Sequence, residues 1–253
     1  MGIGCLNVKM KRIQSYFLSK YLIETLSNDV SNNGKMMFMK GYVVPAAEAS
    51  EEMVINRSRF IATIGPAFSV EEAKQFISHI RSRYAQATHH VPAYVIGAGD
   101  SIIAHCSDDG EPSGTAGKPI LAVLQGSGLG DVVLVVTRYF GGIKLGSGGL
   151  VRAYSEAARL VIEKVPRARR LPAVVFSLTM PYNIFEMVIA LVKHYNGVVE
   201  ERQFDEKVAI TAKLPDENYE PFARELREKS AAALTPQVLR RELTLVPMKE
   251  GYA

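Results

Sequence analysis

The sequence predicts an α+β protein built from two domains. In the first part of the chain, residues 52–162, patterns of strand and helix periodicity follow in the order strands, helix, strands, helix, strand, helix, which is typical of a sheet covered by helices. From Ala173 the order is strand, helix, two strands, helix, strand, the βαββαβ pattern of a ferredoxin-like module. Between them, Pro166 and Pro172 enclose three arginines and predict a short, stiff linker.

Local patterns place each element of the first domain. Ser69 and Glu72 form a capping box in front of a helix with one apolar face. Thr115 is a candidate cap for a second helix, and the continuous apolar run from Asp131 to Thr137 predicts a strand buried on both faces. We expect the helices to share one face of the sheet. The predicted strands are residues 52–55, 58–64, 93–96, 102–104 and 131–137, and the predicted helices begin near residues 69, 115 and 146.

The second domain follows the same reasoning. Its first helix carries apolar residues at helical spacing, and its hairpin strands are separated by a short polar turn. The predicted strands are residues 173–179, 197–204, 208–214 and 238–246, and the predicted helices are residues 183–194 and 216–229.

Composition limits the classes of function. The chain is 47% hydrophobic but has no long uninterrupted apolar run, so we expect no membrane span. Two cysteines, Cys5 and Cys106, form no disulfide framework, which suits a reducing cytoplasm. Residues 1–41 hold six Lys/Arg and two Asp/Glu and so account for the whole net charge of +4. Any binding of nucleic acid must therefore come from a local basic patch.

One stretch, Ser107–Gly149, holds more than half of the chain's 20 glycines and divides into two glycine-rich turns, each followed by a helix. A glycine loop beside a cation and a helix N-terminus can bind an anion, because free N–H groups and the helix dipole favour negative charge. Glycine is equally suited to close packing of a strand against a helix, and both interpretations stay open. The candidate anion- or RNA-binding residues are Lys118, Arg138, Gly141, Gly142, Lys144, Gly146, Ser147, Gly148, Gly149 and Arg152.

The first turn contains acidic residues and follows two histidines, His89 and His90. These groups could hold a divalent ion or transfer protons. No metal-ligand or catalytic spacing is present, and Asp in a turn commonly bonds its own backbone. We therefore favour a structural turn over an interaction surface and over a catalytic or metal site, and predict no catalytic residue, metal or cofactor. The turn residues are Ser107, Asp108, Asp109, Gly110, Glu111, Pro112, Ser113, Gly114 and Thr115, whose acids could instead pair with Lys118.

Four strings closely resemble the YigZ/Impact family. They are RSRFIA at 57–62, HHVPAY at 89–94, SDDGEPSGTAGKPIL at 107–121 and VVTRYFGGIKLGSGGLVRAY at 135–154. The resemblance is strong over residues 42–165 and implies, for the first domain, the α/β sandwich that the family shares with a ribosomal-protein domain and with small-molecule kinases. The remainder resembles the C-terminal domain of bacterial members, which is similar to a domain of elongation factor G.

The resemblance also divides the chain. It implies an Impact N-terminal domain at residues 41–165, a linker at 166–172 and a ferredoxin-like C-terminal domain at 173–248. Residues 1–40 fall outside the family pattern, and we expect them to be a loosely held arm or the product of a mis-assigned start, with Met36, Met37 or Met39 as the true one.

The function implied by the resemblance is a cytoplasmic, non-catalytic role in regulating translation. Eukaryotic Impact proteins regulate initiation by competing for an activator of a translation-factor kinase, with the help of an additional N-terminal module. Forty residues leave no room for that module, so we do not extend the kinase-regulating role to this chain. The first hypothesis is binding of RNA or the ribosome through the Gly-rich basic loop and the C-terminal sheet. The alternatives are a phosphate-ligand-binding enzyme on the small-molecule-kinase-like fold and a protein–protein adaptor.

Overall fold

The computed structural model describes residues 41–99 and 102–248, which form two compact units. The first unit contains Tyr42–Arg169 and the described residues after Thr244, and the second contains Arg170–Thr244. The predicted extension, residues 1–40, lies outside the described residues. No described helix is long and apolar enough to cross a lipid bilayer.

The first unit is built on a five-stranded antiparallel sheet with the strand order β2-β3-β6-β4-β5. Every predicted strand and helix of this domain is present, with bounds that differ by a few residues. In chain order the elements are β1 (Tyr42–Pro45), β2 (Ala49–Ile55), β3 (Ser58–Pro66), α1 (Val70–Arg83), β4 (His89–Ile96), β5 (Ile103–Cys106), α2 (Gly117–Gly126), β6 (Val132–Tyr139) and α3 (Gly146–Lys164).

Helices cover both faces of this sheet, so the expectation that they share one face is wrong. Along β6, Val132, Leu134 and Val136 point into the core formed with α2 and α3. Val133 points the other way, into a smaller core that it shares with Ala73 of α1. Because alternate residues of a strand face opposite sides, the unbroken apolar run of β6 needs a cover on each side. The run itself predicted the double burial correctly.

Four strands of the second unit pair in the order β10-β7-β9-β8, in a sheet of five strands, and both helices pack in one core. This is the strand order of a ferredoxin-like βαββαβ fold, as the sequence predicted. A 3₁₀ turn, Tyr182–Ile184, precedes its first helix. The elements are β7 (Arg167–Met180), α4 (Phe185–His194), β8 (Val198–Phe204), β9 (Val208–Pro215), α5 (Asp216–Lys229) and β10 (Gln237–Pro247).

Strand β7 begins at Arg167, earlier than the predicted start at Ala173, and so includes most of the segment predicted as a linker. Hydrogen bonds hold this segment extended: the carbonyl oxygen of Arg167 accepts from the N–H of Met248 at 3.1 Å, and that of Pro166 accepts from Ala46 at 2.7 Å. Both partners are distant in sequence, which is why local composition gave no sign of the pairing.

Candidate functional site

Asp108 organises the first glycine-rich turn by capping α2 from nine residues upstream. Its carboxylate accepts hydrogen bonds from the backbone N–H groups of Gly114 at 2.8 Å, Ala116 at 3.1 Å and Gly117 at 2.8 Å. Burial raises the pKa of the Asp108 carboxyl, but these three hydrogen bonds and the nearby charge of Lys118 lower it further, so that its pKa lies below the ordinary 3.8. The N–H of Gly117, the first residue of α2, is therefore already satisfied by the chain itself.

The prediction that Thr115 caps this helix is wrong. Its hydroxyl donates to the carbonyl oxygen of Pro112 at 2.6 Å, and the N-cap position, Ala116, provides no side-chain hydrogen bond. Gly117 explains why Asp108 can come close: a Cβ there would lie 2.7 Å from the carbonyl oxygen of Ser107. Close packing, and not a ligand, therefore requires this glycine.

Asp109 ties the turn to both histidines. Its backbone has a positive φ of 46°, and its carboxylate accepts from the backbone N–H of His90 at 2.7 Å and from the guanidinium of Arg81 at 2.6 Å. Nδ1 of His89 donates to the carbonyl oxygen of Asp109 at 2.8 Å. The side chain of His90 turns to the other face of the sheet, where Nε2 contacts the carbonyl oxygen of Tyr84 at 3.1 Å. Both histidines thus fix the turn to the start of β4.

Glu111 lies at the centre of a buried polar group that we call the Glu111 cluster, formed by Glu111, Arg138, Tyr154 and Phe60. Glu111 Oε1 accepts hydrogen bonds from Arg138 Nη1 at 2.6 Å and from the Tyr154 hydroxyl at 2.7 Å. The side chains of Glu111 and Arg138 are 4% and 5% exposed. The Arg138 guanidinium lies over the ring of Phe60, which packs edge-on against Tyr154. Burial, and then the hydrogen bond to Glu111, raises the pKa of Tyr154 above its ordinary value.

This cluster corrects the prediction that Arg138 is a surface cation facing an anion. Its charge is neutralised by Glu111, which joins the two glycine-rich turns across 27 residues of sequence. Lys118, the suggested partner of these acids, is exposed in the first turn of α2. Nε2 of His89 lies 3.9 Å from Glu111. Among the described residues, no group of three His, Cys, Asp or Glu side chains is arranged to hold a metal ion.

The second glycine-rich turn lies against the β2–β3 turn. A Cβ on Gly141 would lie 2.0 Å from the carbonyl carbon of Arg57, so only glycine fits. The N–H of Gly141 donates to Ser58 Oγ at 3.2 Å, and that of Phe140 donates to Thr88 Oγ1 at 3.1 Å. Gly142 and Gly146 have φ values of 83° and 70°. These contacts fix the backbone of the turn and leave its side chains at the surface.

Helix α3 begins at this turn with an open N-terminus. Its N-cap residue, Leu145, provides no side-chain hydrogen bond, and the first turn contains no acidic residue. Gly146, Ser147 and Gly148 are exposed, as are Lys144 and Arg152. The structure thus separates the predicted anion-binding residues into two groups. Arg138 is buried and Lys118 lies on α2, whereas Lys144, Arg152 and the glycines from 141 to 149 lie together around the α3 N-terminus.

Two further residues at this location were not selected from the sequence. Arg57 is exposed with a φ of 63°, and Phe140 is 48% exposed. Arg57 precedes the serine that anchors the glycine loop, but a β2–β3 hairpin turn far away in the chain gives no local sign of that position. Phe140 lies directly before Gly141-Gly142, and an aromatic residue in a glycine-rich turn was the available signal. We call Arg57, Phe140, Lys144, Arg152 and the first turn of α3 the loop surface.

Replacing Asp108 with asparagine is expected to lower the free energy of unfolding at pH 7 by about 1–2 kcal/mol, because both carboxylate oxygens accept backbone N–H groups and the amide has only one accepting oxygen, so that its NH2 group faces a donor. Because the pKa of Asp108 is lower in the folded chain, its contribution is present above the unfolded pKa of about 3.9 and is lost as pH falls through the folded value. Urea unfolding across pH 2–7 measures this, and wild type and Asp108→Asn should converge at the acidic end. Ser113→Ala, an exposed change in the same turn, is the control. Equal stability of Asp108→Asn and wild type at pH 7 would contradict the capping role.

The fold and the site together define a two-domain α+β protein whose first domain carries two glycine-rich turns linked by a buried ion pair. Residues 56–162 match the Impact N-terminal domain, and residues 178–233 match a domain of unknown function, DUF1949. The chain is 36% identical over 197 residues to the IMPACT family member YigZ of Escherichia coli (strain K12), a match that covers 78% of this chain and 97% of that protein. The chain belongs to the IMPACT family, as its motifs predicted.

Two further comparisons agree. An IMPACT family member of Haemophilus influenzae is 37% identical over 202 residues, which is 79% of this chain and 98% of the relative. A crystal structure of a hypothetical protein, 34% identical in sequence, aligns with 84% of this chain and all of its own at a TM-score of 0.54. The relationship therefore extends over both domains.

Proposed function

We propose that this protein is a cytoplasmic, non-catalytic regulator of translation that binds RNA, free or in the ribosome, through the loop surface. The observation that carries the proposal is a group of exposed cations around an open helix N-terminus, none of which pairs with a carboxylate among the described residues. Phosphate groups are the ligands that such a surface favours, since cations, helix dipole and free backbone N–H groups act together on negative charge.

The cations of the loop surface differ from most others on the first unit. Arg59, Arg81, Arg83 and Lys164 each pair with an Asp or Glu carboxylate. In the part of the chain that the structure describes, Arg57, Lys144 and Arg152 have no such pair. Unpaired surface cations keep their charge available to an incoming phosphate group. Residues 42–253 have no net charge, but a local basic patch is still possible there, because many of the acidic residues pair with other cations.

One of the three cations, Arg152, lines a shallow groove. The groove has a volume of about 620 Å³ and runs between the β2–β3 turn and the first turns of α3. Asn56, next to Arg57, lines one side, and Leu145, next to Lys144, lines the other together with Arg152. Nucleic acid in this groove would contact Arg152 and lie beside the segments that carry Arg57 and Lys144. Membership of the IMPACT family, whose sequence resemblance implies a role in regulating translation, supports the link to translation.

The experiment is co-sedimentation with ribosomal particles in sucrose gradients of cell lysate at several salt concentrations. Wild type should co-migrate at low salt and be released as salt rises, because phosphate binding releases condensed counterions. The single variant Lys144→Glu should release at lower salt, and Lys144→Glu/Arg152→Glu lower still, each lost phosphate contact making the salt dependence shallower by about one unit of log–log slope.

Lys74→Glu is the matched control, since Lys74 is an exposed cation on α1, on the other face of the sheet. It makes the same change of charge and should sediment as wild type does. Wild type that stays at the top of the gradient at low salt, or Lys74→Glu released as early as Lys144→Glu, would refute binding through the loop surface.

A further inference from the structure

The ring of Phe140 is exposed but not loosely held. Phe140 as a residue is 48% exposed, whereas the residues before it in β6 are almost all buried. Its own N–H and that of Gly141 are hydrogen bonded to Thr88 and Ser58. An exposed aromatic ring on an anchored backbone loses little conformational entropy on binding, which is the property of a preformed contact.

The Glu111 cluster supports this ring from below. The Arg138 guanidinium, fixed by its 2.6 Å ion pair with Glu111, lies 5.5 Å from the centre of the Phe140 ring. A buried cation thus contacts the ring while much of the ring stays in solvent. The cluster therefore has a consequence at the surface, because it sets the position of an aromatic side chain four residues before Lys144.

We infer that Phe140 is a stacking platform for an unpaired base, so that the loop surface binds single-stranded RNA in preference to duplex. This inference rests on the proposed function. A base within a duplex is covered by its neighbours on both sides, and only an unpaired base presents a free face to an aromatic ring. With the base on Phe140, the flanking phosphates lie within reach of Lys144 and Arg57, which combines the stacking and the cation contacts typical of single-strand binding.

The test uses the full chain, a mixed-sequence RNA of roughly ten nucleotides, and the same strand annealed to its complement. Phe140→Leu keeps an apolar side chain without a π face and should raise the Kd for the single strand about tenfold, with no change for the duplex. Phe204→Leu is the matched control, because Phe204 is a similarly exposed phenylalanine, at 56%, in the second unit. Thermal unfolding of each variant checks that the loop is still folded.

Phe140→Trp provides a fluorescence signal that reports stacking directly, because a residue with only a structural role would show no quenching when RNA binds. The chain contains no tryptophan, so residue 140 becomes its single indole fluorophore. It should bind the single strand as wild type does, with fluorescence quenched on binding, and should show no quenching with the duplex.

The outcomes separate this inference from the proposed function. If Lys144→Glu/Arg152→Glu weakens RNA binding but Phe140→Leu does not and the indole is not quenched, the stacking role is overturned and the RNA-binding function stands. If Phe140→Leu loses ribosomal particles but binds free RNA normally, the ring contacts protein and the inference is overturned. If wild type binds neither the single strand nor the duplex, or binds them with an affinity that does not depend on salt, both proposals fail.

Discussion

Glu111→Gln is expected to lower the free energy of unfolding by about 3–5 kcal/mol. The substitution keeps the shape of the side chain and removes only its charge, so Arg138 is left as a buried cation without a counter-ion. Desolvation of an unpaired guanidinium is costly, and the neutral amide cannot replace the lost attraction. Chemical denaturation monitored by circular dichroism measures the loss as a shift in the midpoint.

Two control variants isolate the reason. Glu111→Leu/Arg138→Leu removes both charges and should be less destabilising than Glu111→Gln alone, since no uncompensated charge remains. Glu52→Gln breaks an exposed pair with Arg59, whose side chain is 47% in solvent, and should leave the midpoint nearly unchanged. A Glu111→Gln protein as stable as Glu52→Gln would show that the buried pair does not contribute as described.

Gly141→Ala is expected to cost about 2–3 kcal/mol and to displace the loop surface. The new Cβ would lie 2.0 Å from the carbonyl carbon of Arg57 and 2.4 Å from the backbone nitrogen of Ser58, distances that no folded backbone tolerates. Since the obstacle is main chain, a side-chain rotation cannot relieve it, and the loop or the β2–β3 turn must move. Denaturation measures the cost, and RNA affinity measures the displacement of Phe140 and Lys144.

Gly148→Ala is the matched control. No heavy atom lies within 4 Å of a Cβ built on Gly148, and alanine favours the helix that it occupies. Its stability should equal or slightly exceed that of wild type. If Gly141→Ala were as stable as Gly148→Ala, the close contact between the glycine loop and the β2–β3 turn would be contradicted.

Much of the fold could be predicted because the evidence for it is local. The apolar run 131–137 predicted a strand buried on both faces, and the helical spacing of Tyr154 and its apolar neighbours predicted α3. The second domain followed from the order of its elements alone. The face taken by α1 and the start of β7 were not predictable in this way, because each depends on which distant segments become neighbours.

The residues of the candidate site also differ in how far local sequence could predict their positions. Lys144 and Arg152, beside glycines and a helix start, are exposed, as an anion-binding role requires. Arg138 has the same local context but is buried, because it pairs with Glu111, which lies 27 residues earlier in the chain. Arg57 joins the loop surface only because Gly141 packs on its backbone. Exposure of a cation is a property of three-dimensional neighbours, and a pattern of residue types does not contain it.

The sequence by itself determined the two-domain α+β organisation, the family and the two glycine-rich turns, because periodicity, glycine and long motifs act over short stretches of chain. Only the tertiary structure decided which charges are neutralised by ion pairs within the protein and which remain available to a ligand. The pairing of Glu111 with Arg138, the capping of α2 by Asp108 and the exposed ring of Phe140 all arise from packing between separate segments. The physical reason is that desolvation and ion pairing depend on distance in space, whereas a sequence records only distance along the chain.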